Sequence, residues 1–135
     1  MSDGKARPRP LVAIVDDEES IRKSLRRLFM AAELDAAVYA SGQEFLDSLP
    51  ERQPDCLVLD LQMPGLTGLE VQRVLAGARV RFPTVIITAH DEPETRVRCL
   101  SAGAAAYLCK PLHDEMLLEA IADVIGRGTQ AVGGP

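Results

Sequence analysis

Apolar positions fall along this chain in two alternating kinds of block. Leu11-Val12-Ala13-Ile14-Val15, Cys56-Leu57-Val58-Leu59 and Thr84-Val85-Ile86-Ile87-Thr88 are short runs with unbroken apolar centres. Such runs suit strands buried on both faces, as in a parallel sheet. Ala36-Ala37-Val38-Tyr39-Ala40 reads as a short, alanine-rich second strand, and Ala104-Ala105-Ala106-Tyr107-Leu108-Cys109 as the last.

Between these runs the apolar residues recur at helical spacing. Ile21, Leu25, Leu28, Phe29 and Ala32 line one face, while Arg22, Lys23, Arg26 and Arg27 fall mostly on the other. The acidic start of this helix, through Glu19, complements its dipole. Ser41 with Glu44, and Thr67 with Glu70, have the spacing of capping boxes. They open helices carrying Phe45, Leu46 and Leu49 up to Pro50, and Leu69, Val71, Val74, Leu75 and Ala78 up to Phe82-Pro83. Pro93 opens a fourth helix and Gly103 closes it. A fifth begins near Asp114, with Leu117, Leu118, Ile121, Val124 and Ile125 as its stripe.

Five strand–helix alternations with short connections predict right-handed βαβ units. The expected fold is α/β: a doubly wound five-stranded parallel sheet between two helical layers. Residues 11–125 form this domain. Residues 1–10 are expected to be a flexible N-terminal tail, and the Gly-rich 126–135 a C-terminal tail or the start of a linker.

Composition trims the functional classes. With 135 residues there is material for one core. A net charge of −5 argues against direct nucleic-acid binding by this segment, although 12 of its 15 basic residues are Arg. No apolar run approaches the roughly 20 residues of a membrane span. The basic, proline-rich start is not a signal peptide, so a cytoplasmic protein is expected. Cys56, Cys99 and Cys109 lack a paired metal spacing and are expected as free thiols.

The chemistry lies where strands end. Asp16, Asp17, Asp60, Thr88 and Lys110 stand at or just after the ends of the first, third, fourth and fifth strands, and parallel strands bring those ends to the edge where such sheets bind ligands. Three gathered carboxylates repel, each pair by about 4 kcal/mol at 4 Å and an effective dielectric near 20. Oxygen-only ligands then favour a hard cation such as Mg²⁺, which takes one or two carboxylates together with a phosphate. Lys110 supplies a fixed positive charge for a phosphoryl oxygen, and Thr88 a hydroxyl donor. Asp60 is the candidate nucleophile, forming an aspartyl phosphate.

Val15-Asp16-Asp17-Glu18, Leu59-Asp60-Leu61-Gln62-Met63-Pro64-Gly65, Ile87-Thr88-Ala89, Gly103-Ala104 with Tyr107, and Lys110-Pro111 occur in this order. Together they resemble the receiver domain of two-component response regulators over about Leu11 to Ile125. The segments around Met63, Thr88 and Lys110 look most like receivers of FixJ-type transcription regulators. The resemblance implies a flavodoxin-like, CheY-like (βα)5 fold in which Asp60 takes phosphate from a histidine kinase. It implies Mg²⁺ held by Asp17 directly, Asp16 mainly through water, Asp60, and the Gln62 backbone carbonyl. It further implies a Lys110 paired with Asp60 and joined to Pro111 by a cis bond, and a switch made of Thr88 and Tyr107. Gln62 and His90 fall where the family tunes dephosphorylation, and the basic face of the first helix where it docks the kinase. A phosphorylation-dependent homodimer would use the face of the fourth helix, last strand and fifth helix. His113 is expected at the surface of a helix start.

Two other classes share parts of this pattern. A haloacid-dehalogenase-like phosphatase or phosphotransferase needs a second Asp two residues after its nucleophile, where this chain has Gln62. A flavin-binding electron carrier needs a Ser/Thr-rich phosphate loop after the first strand, where this chain has Asp16-Asp17-Glu18-Glu19.

Overall fold

The computed structural model describes residues 8–133. Strands β1 (Leu11–Val15), β2 (Asp35–Tyr39), β3 (Cys56–Asp60), β4 (Thr84–Thr88) and β5 (Ala106–Cys109) alternate with helices α1 (Glu19–Ala31), α2 (Gly42–Ser48), α3 (Gly68–Ala78), α4 (Pro93–Ser101) and α5 (Asp114–Gly133). The strands form one parallel sheet in the order β2-β1-β3-β4-β5. This is the expected doubly wound sheet. The chain steps outward from β1 to β2 and then returns to the other side of β1 for β3. That reversal opens a crevice at the carboxyl ends of β1 and β3.

Strand alternation divides the core in two. Val12, Ile14, Cys56, Val58, Val85 and Ile87 pack against Leu25 and Phe29 of α1 and Leu117, Ile121 and Val124 of α5. Their neighbours Ala13, Val15, Leu57, Leu59 and Ile86 face Phe45 of α2, Val71 and Leu75 of α3 and Cys99 of α4, together with Tyr107 of β5. β1, β3 and β4 are buried at every position because helices cover both of their faces. Phe45 anchors the second layer, with edge-on contacts to Tyr39 at 5.4 Å and Phe82 at 6.0 Å between ring centroids.

The helix starts follow the sequence closely. At α3 the capping box is complete: Glu70 N donates to Thr67 Oγ1 at 3.2 Å, and Thr67 N to Glu70 Oε1 at 2.8 Å. At α2 only half of it forms. Ser41 Oγ accepts from Glu44 N at 3.1 Å, but the Glu44 carboxylate turns to Ala40 N instead, at 3.2 Å.

Several element ends differ from expectation. α3 stops at Ala78, well before Pro83, because Arg79 adopts a left-handed conformation (φ 56°) and Val80 N folds back to Leu75 O at 3.3 Å. β2 lies one residue earlier than the alanine run suggested. β5 begins at Ala106 rather than Ala104, since Ala104 N is engaged by Cys99 O at 3.0 Å, closing α4. Pro10 is not a frayed end: its carbonyl accepts from Asp35 N at 2.9 Å. The largest correction concerns residues 126–133, which continue α5 instead of forming a tail. Glycine within a helix costs only up to about 1 kcal/mol relative to alanine, and no proline interrupts before Pro135. The rest of the expected tails, residues 1–7 and 134–135, lies outside the described residues.

Candidate functional site

The register of the central strands builds the site. Val15 sits opposite Leu59, which sets Asp16, just past β1, beside Asp60, the last residue of β3. Asp16 and Asp60 are buried and Asp17 is exposed. Each of the three offers a carboxylate oxygen within 4.8 Å of the others, the one such cluster of potential metal ligands among the described residues. Lys110 enters from the end of β5. Its backbone N–H donates to Thr88 O at 2.7 Å, and its peptide bond to Pro111 is cis.

The Lys110 ammonium lies among carboxylates, 3.1 Å from Asp16 Oδ2 and 3.5 Å from both Asp60 Oδ1 and Glu18 Oε1. Asp16 is saturated from two sides, because its Oδ1 also accepts from Glu18 N at 2.9 Å. Asp60 is not. Its Oδ1 is buried and, although Lys110 is near, no donor reaches it with hydrogen-bond geometry. Burial, and next the Asp16 charge, push the Asp60 carboxyl up to about 6, while Lys110 pulls the other way. The Lys110 ammonium is held above its ordinary range: burial alone would lower it, and bonding to Asp16 with the charges of Asp60 and Glu18 outweighs that loss. One ammonium cannot neutralise three gathered carboxylates. The oxygen-only set therefore fits a hard divalent cation, and the unpartnered Asp60 oxygen fits a nucleophile.

Thr88 and Tyr107 turn their side chains to the other face of the sheet. By strand alternation Asp16, Asp60 and Lys110 project toward the α1/α5 side, whereas Thr88 and Tyr107 project toward α4. Thr88 is fully buried, and its hydroxyl is engaged locally, donating to His90 O at 3.1 Å and accepting from His90 N at 3.0 Å. Tyr107 is already turned inward and buried, beneath the Arg96 guanidinium at 5.4 Å from the ring centroid. Its hydroxyl has no hydrogen-bond partner. Gln62 and His90 are exposed at the rim. His113 is exposed, and its carbonyl accepts from Leu117 N at 3.0 Å, so it is the helix-start surface residue expected. All three cysteines are free thiols, with Cys56 and Cys99 buried and Cys109 exposed. No helix among the described residues is long and apolar enough to cross a membrane.

Four residues matter here that the sequence pattern did not single out. Arg22 reads as part of a solvated basic face, yet its Nη1 donates to Asp16 O at 2.8 Å and fixes the turn after β1. Gly68 reads as loop, yet its N–H donates to Leu61 O at 2.9 Å, and a Cβ there would lie 2.7 Å from Asp60 O. Glu18 reads as helix-start acidity, yet it reaches Lys110. Gln72 would be placed on a polar helix face, yet it is buried and its Nε2 donates to Cys99 O at 3.1 Å, tying α3 to α4. Only the capping box beginning at Thr67 hinted at any of these, by starting α3 tightly against the end of β3.

Comparison with known proteins gives a single answer. Residues 12–122 match the model of the response regulator receiver domain. Nodulation protein W of Bradyrhizobium diazoefficiens is 37% identical over 117 residues, which cover 87% of this chain and 52% of that protein. The transcriptional regulatory protein FixJ of Rhizobium meliloti is 36% identical over 110 residues, covering 82% and 54% respectively. The chain thus spans about half the length of these curated relatives. Among solved structures, a response regulator receiver protein from Burkholderia phymatum superposes with a TM-score of 0.79 at 45% identity, covering 87% of this chain and 96% of that one. Motif order, sheet topology and the clustered strand ends agree with these matches: the chain belongs to the response regulator receiver domains, the two-component signalling switches that histidine kinases phosphorylate.

Proposed function

We propose that Asp60 is the phosphoacceptor of this receiver. The observation that carries this reading is its buried, unpartnered Oδ1 next to Lys110 and two further carboxylates. In the step, an Asp60 oxygen bonds to phosphorus as the P–N bond of a kinase phosphohistidine breaks, and the electron pair leaves on the imidazole nitrogen. Asp17, Asp16, Asp60 and the Gln62 carbonyl would hold Mg²⁺, which supplies charge neutralisation for the transferring phosphoryl group. Asp17 is exposed, whereas both oxygens of Asp16 already hold donors, which supports Asp17 as the direct ligand and Asp16 as one acting through water. Lys110 follows the phosphoryl oxygens. Catalysis extends only to the chain's own phosphorylation and dephosphorylation.

Incubation with Mg²⁺ and phosphoramidate, followed by peptide mapping, is expected to place one hydroxylamine-labile phosphoryl group on Asp60. A label on any other residue would overturn the assignment. Asp17→Ala is expected to weaken Mg²⁺ binding by about tenfold or more, measured by titration, since even outer-shell changes have effects of that size.

The new dianion adds strong acceptors beside Thr88. Drawing the Thr88 hydroxyl toward it breaks the paired bonds with His90, and Tyr107 is then held inward on the α4 side as the signal to a partner, an output domain or a second copy through the α4-β5-α5 face. The cytoplasmic setting and a role in transcription regulation belong to the same reading, resting on the kinship with FixJ. His90 and Gln62 stand at the rim where water must enter. His90→Ala is expected to shorten the lifetime of the phosphorylated form several-fold, and an unchanged decay would remove His90 from this role.

A further inference from the structure

Glu18 stands at the start of α1, and its carboxylate makes no capping bond to that helix. Helix N-termini are normally capped by the shorter Ser, Thr, Asp or Asn, so the longer Glu18 side chain is free for another partner. Here the side chain reaches instead across to Lys110, 92 residues away, with Oε1 3.5 Å from Nζ. The Glu18 backbone is pinned for this reach, because its N–H donates to Asp16 Oδ1 at 2.9 Å and its carbonyl accepts from Arg22 N at 3.1 Å.

Lys110 therefore has three carboxylates for three N–H donors, and they are not equivalent. Asp16 holds it most closely, and Asp60 only at ion-pair distance without hydrogen-bond geometry. Glu18 is the solvent-side partner, with a side chain 59% exposed against 0% for Asp16 and 4% for Asp60. It alone can let go without leaving a buried charge behind.

We propose that Glu18 is a positioning residue that restrains Lys110 on the solvent side of the site and so slows phosphoryl uptake at Asp60. The inference rests on Asp60 being the phosphoacceptor. To meet an incoming phosphoryl oxygen the ammonium must leave Glu18, and each lost contact adds to the barrier. An exposed pair of this kind is worth little, so its removal gives a modest but measurable gain, about two- to fivefold in rate.

The test compares uptake from phosphoramidate at saturating Mg²⁺, set separately for each variant. Glu18→Gln is expected to take up phosphate two- to fivefold faster than the unaltered chain. Glu18→Asp, one methylene too short for the contact, is expected to be faster as well. In a Lys110→Met background, Glu18→Gln is expected to change nothing, the signature of an effect exerted through Lys110. Equal rates for Glu18→Gln and the unaltered chain would overturn the inference. So would a Glu18→Asp rate equal to that of the unaltered chain, since charge at the mouth would then be the cause, or a full gain persisting without Lys110. If the unaltered chain itself carries no label at Asp60, it is the phosphoacceptor assignment that falls.

Discussion

Replacing Asp60 with asparagine is expected to abolish phosphoryl uptake and, at the same time, to make the folded domain more stable at neutral pH. The first effect is the loss of the nucleophile: a neutral carboxamide should lower the rate by roughly a thousandfold or more. The second follows from the carboxyl being raised from 3.8 to about 6, chiefly by burial and then by Asp16. A group whose folded pKa lies above its unfolded value binds its proton more tightly in the native state. The native state therefore loses stability as pH climbs from about 4 through about 6, and above that range the whole cost, about 3 kcal/mol at most, is present. Asparagine carries no charge to desolvate. Urea unfolding without Mg²⁺ should show Asp60→Asn more stable by roughly 1–3 kcal/mol at pH 7.5, with the gain fading near pH 4. A gain that ignores pH, or a loss at pH 7.5, would contradict this account of the site's electrostatics.

Gly68→Ala is expected to disturb the same site from below. A Cβ at this position would lie 2.7 Å from Asp60 O and 2.8 Å from Leu61 Cα. Both are backbone atoms, held by the β3–β4 pairing, so neither can yield as the end of a side chain could. The first turn of α3 must slide outward, stretching the Gly68 N–H bond to Leu61 O and dragging the residues that carry the nucleophile. The expected cost is about 1–3 kcal/mol of stability, accompanied by slower phosphoryl uptake. Gly77 in the same helix provides the contrast, since a Cβ there meets nothing within 4 Å. Gly77→Ala is expected to stabilise by up to about 1 kcal/mol with uptake unchanged. Unfolding and uptake measured on the pair should therefore move in opposite directions in stability; equal behaviour would mean that the close approach at Gly68 is not under strain.

The strands, their direction and their ends were legible because parallel central strands must be apolar at nearly every position, and three of them here are. Once β1, β3, β4 and β5 were recognised, geometry alone gathered Asp16, Asp60, Thr88 and Lys110. What could not be read depends on contacts distant in sequence or on backbone freedom. Arg79 enters the left-handed region without glycine's help, so the end of α3 had no signal. The glycines after Ile125 suggested a tail because composition cannot report whether a backbone ladder continues. Arg22 and Gln72 are ordinary polar residues at helical spacing, and only the turn after β1 and the packing of α3 on α4 give them specific work. Glu18 was hidden by its neighbours, one acid among four in a row.

The sheet's pleat has one further consequence. The groups that would receive a phosphoryl lie on one side of it and Thr88 and Tyr107 on the other, each backed by its own apolar cluster. In the proposed switch, charging and reading are thus separated by the thickness of a single strand layer. There, surface residues of α1 could be exchanged to suit a new kinase while the α4-β5-α5 face kept its listener, so a lineage of such domains could change its source of input and its destination independently.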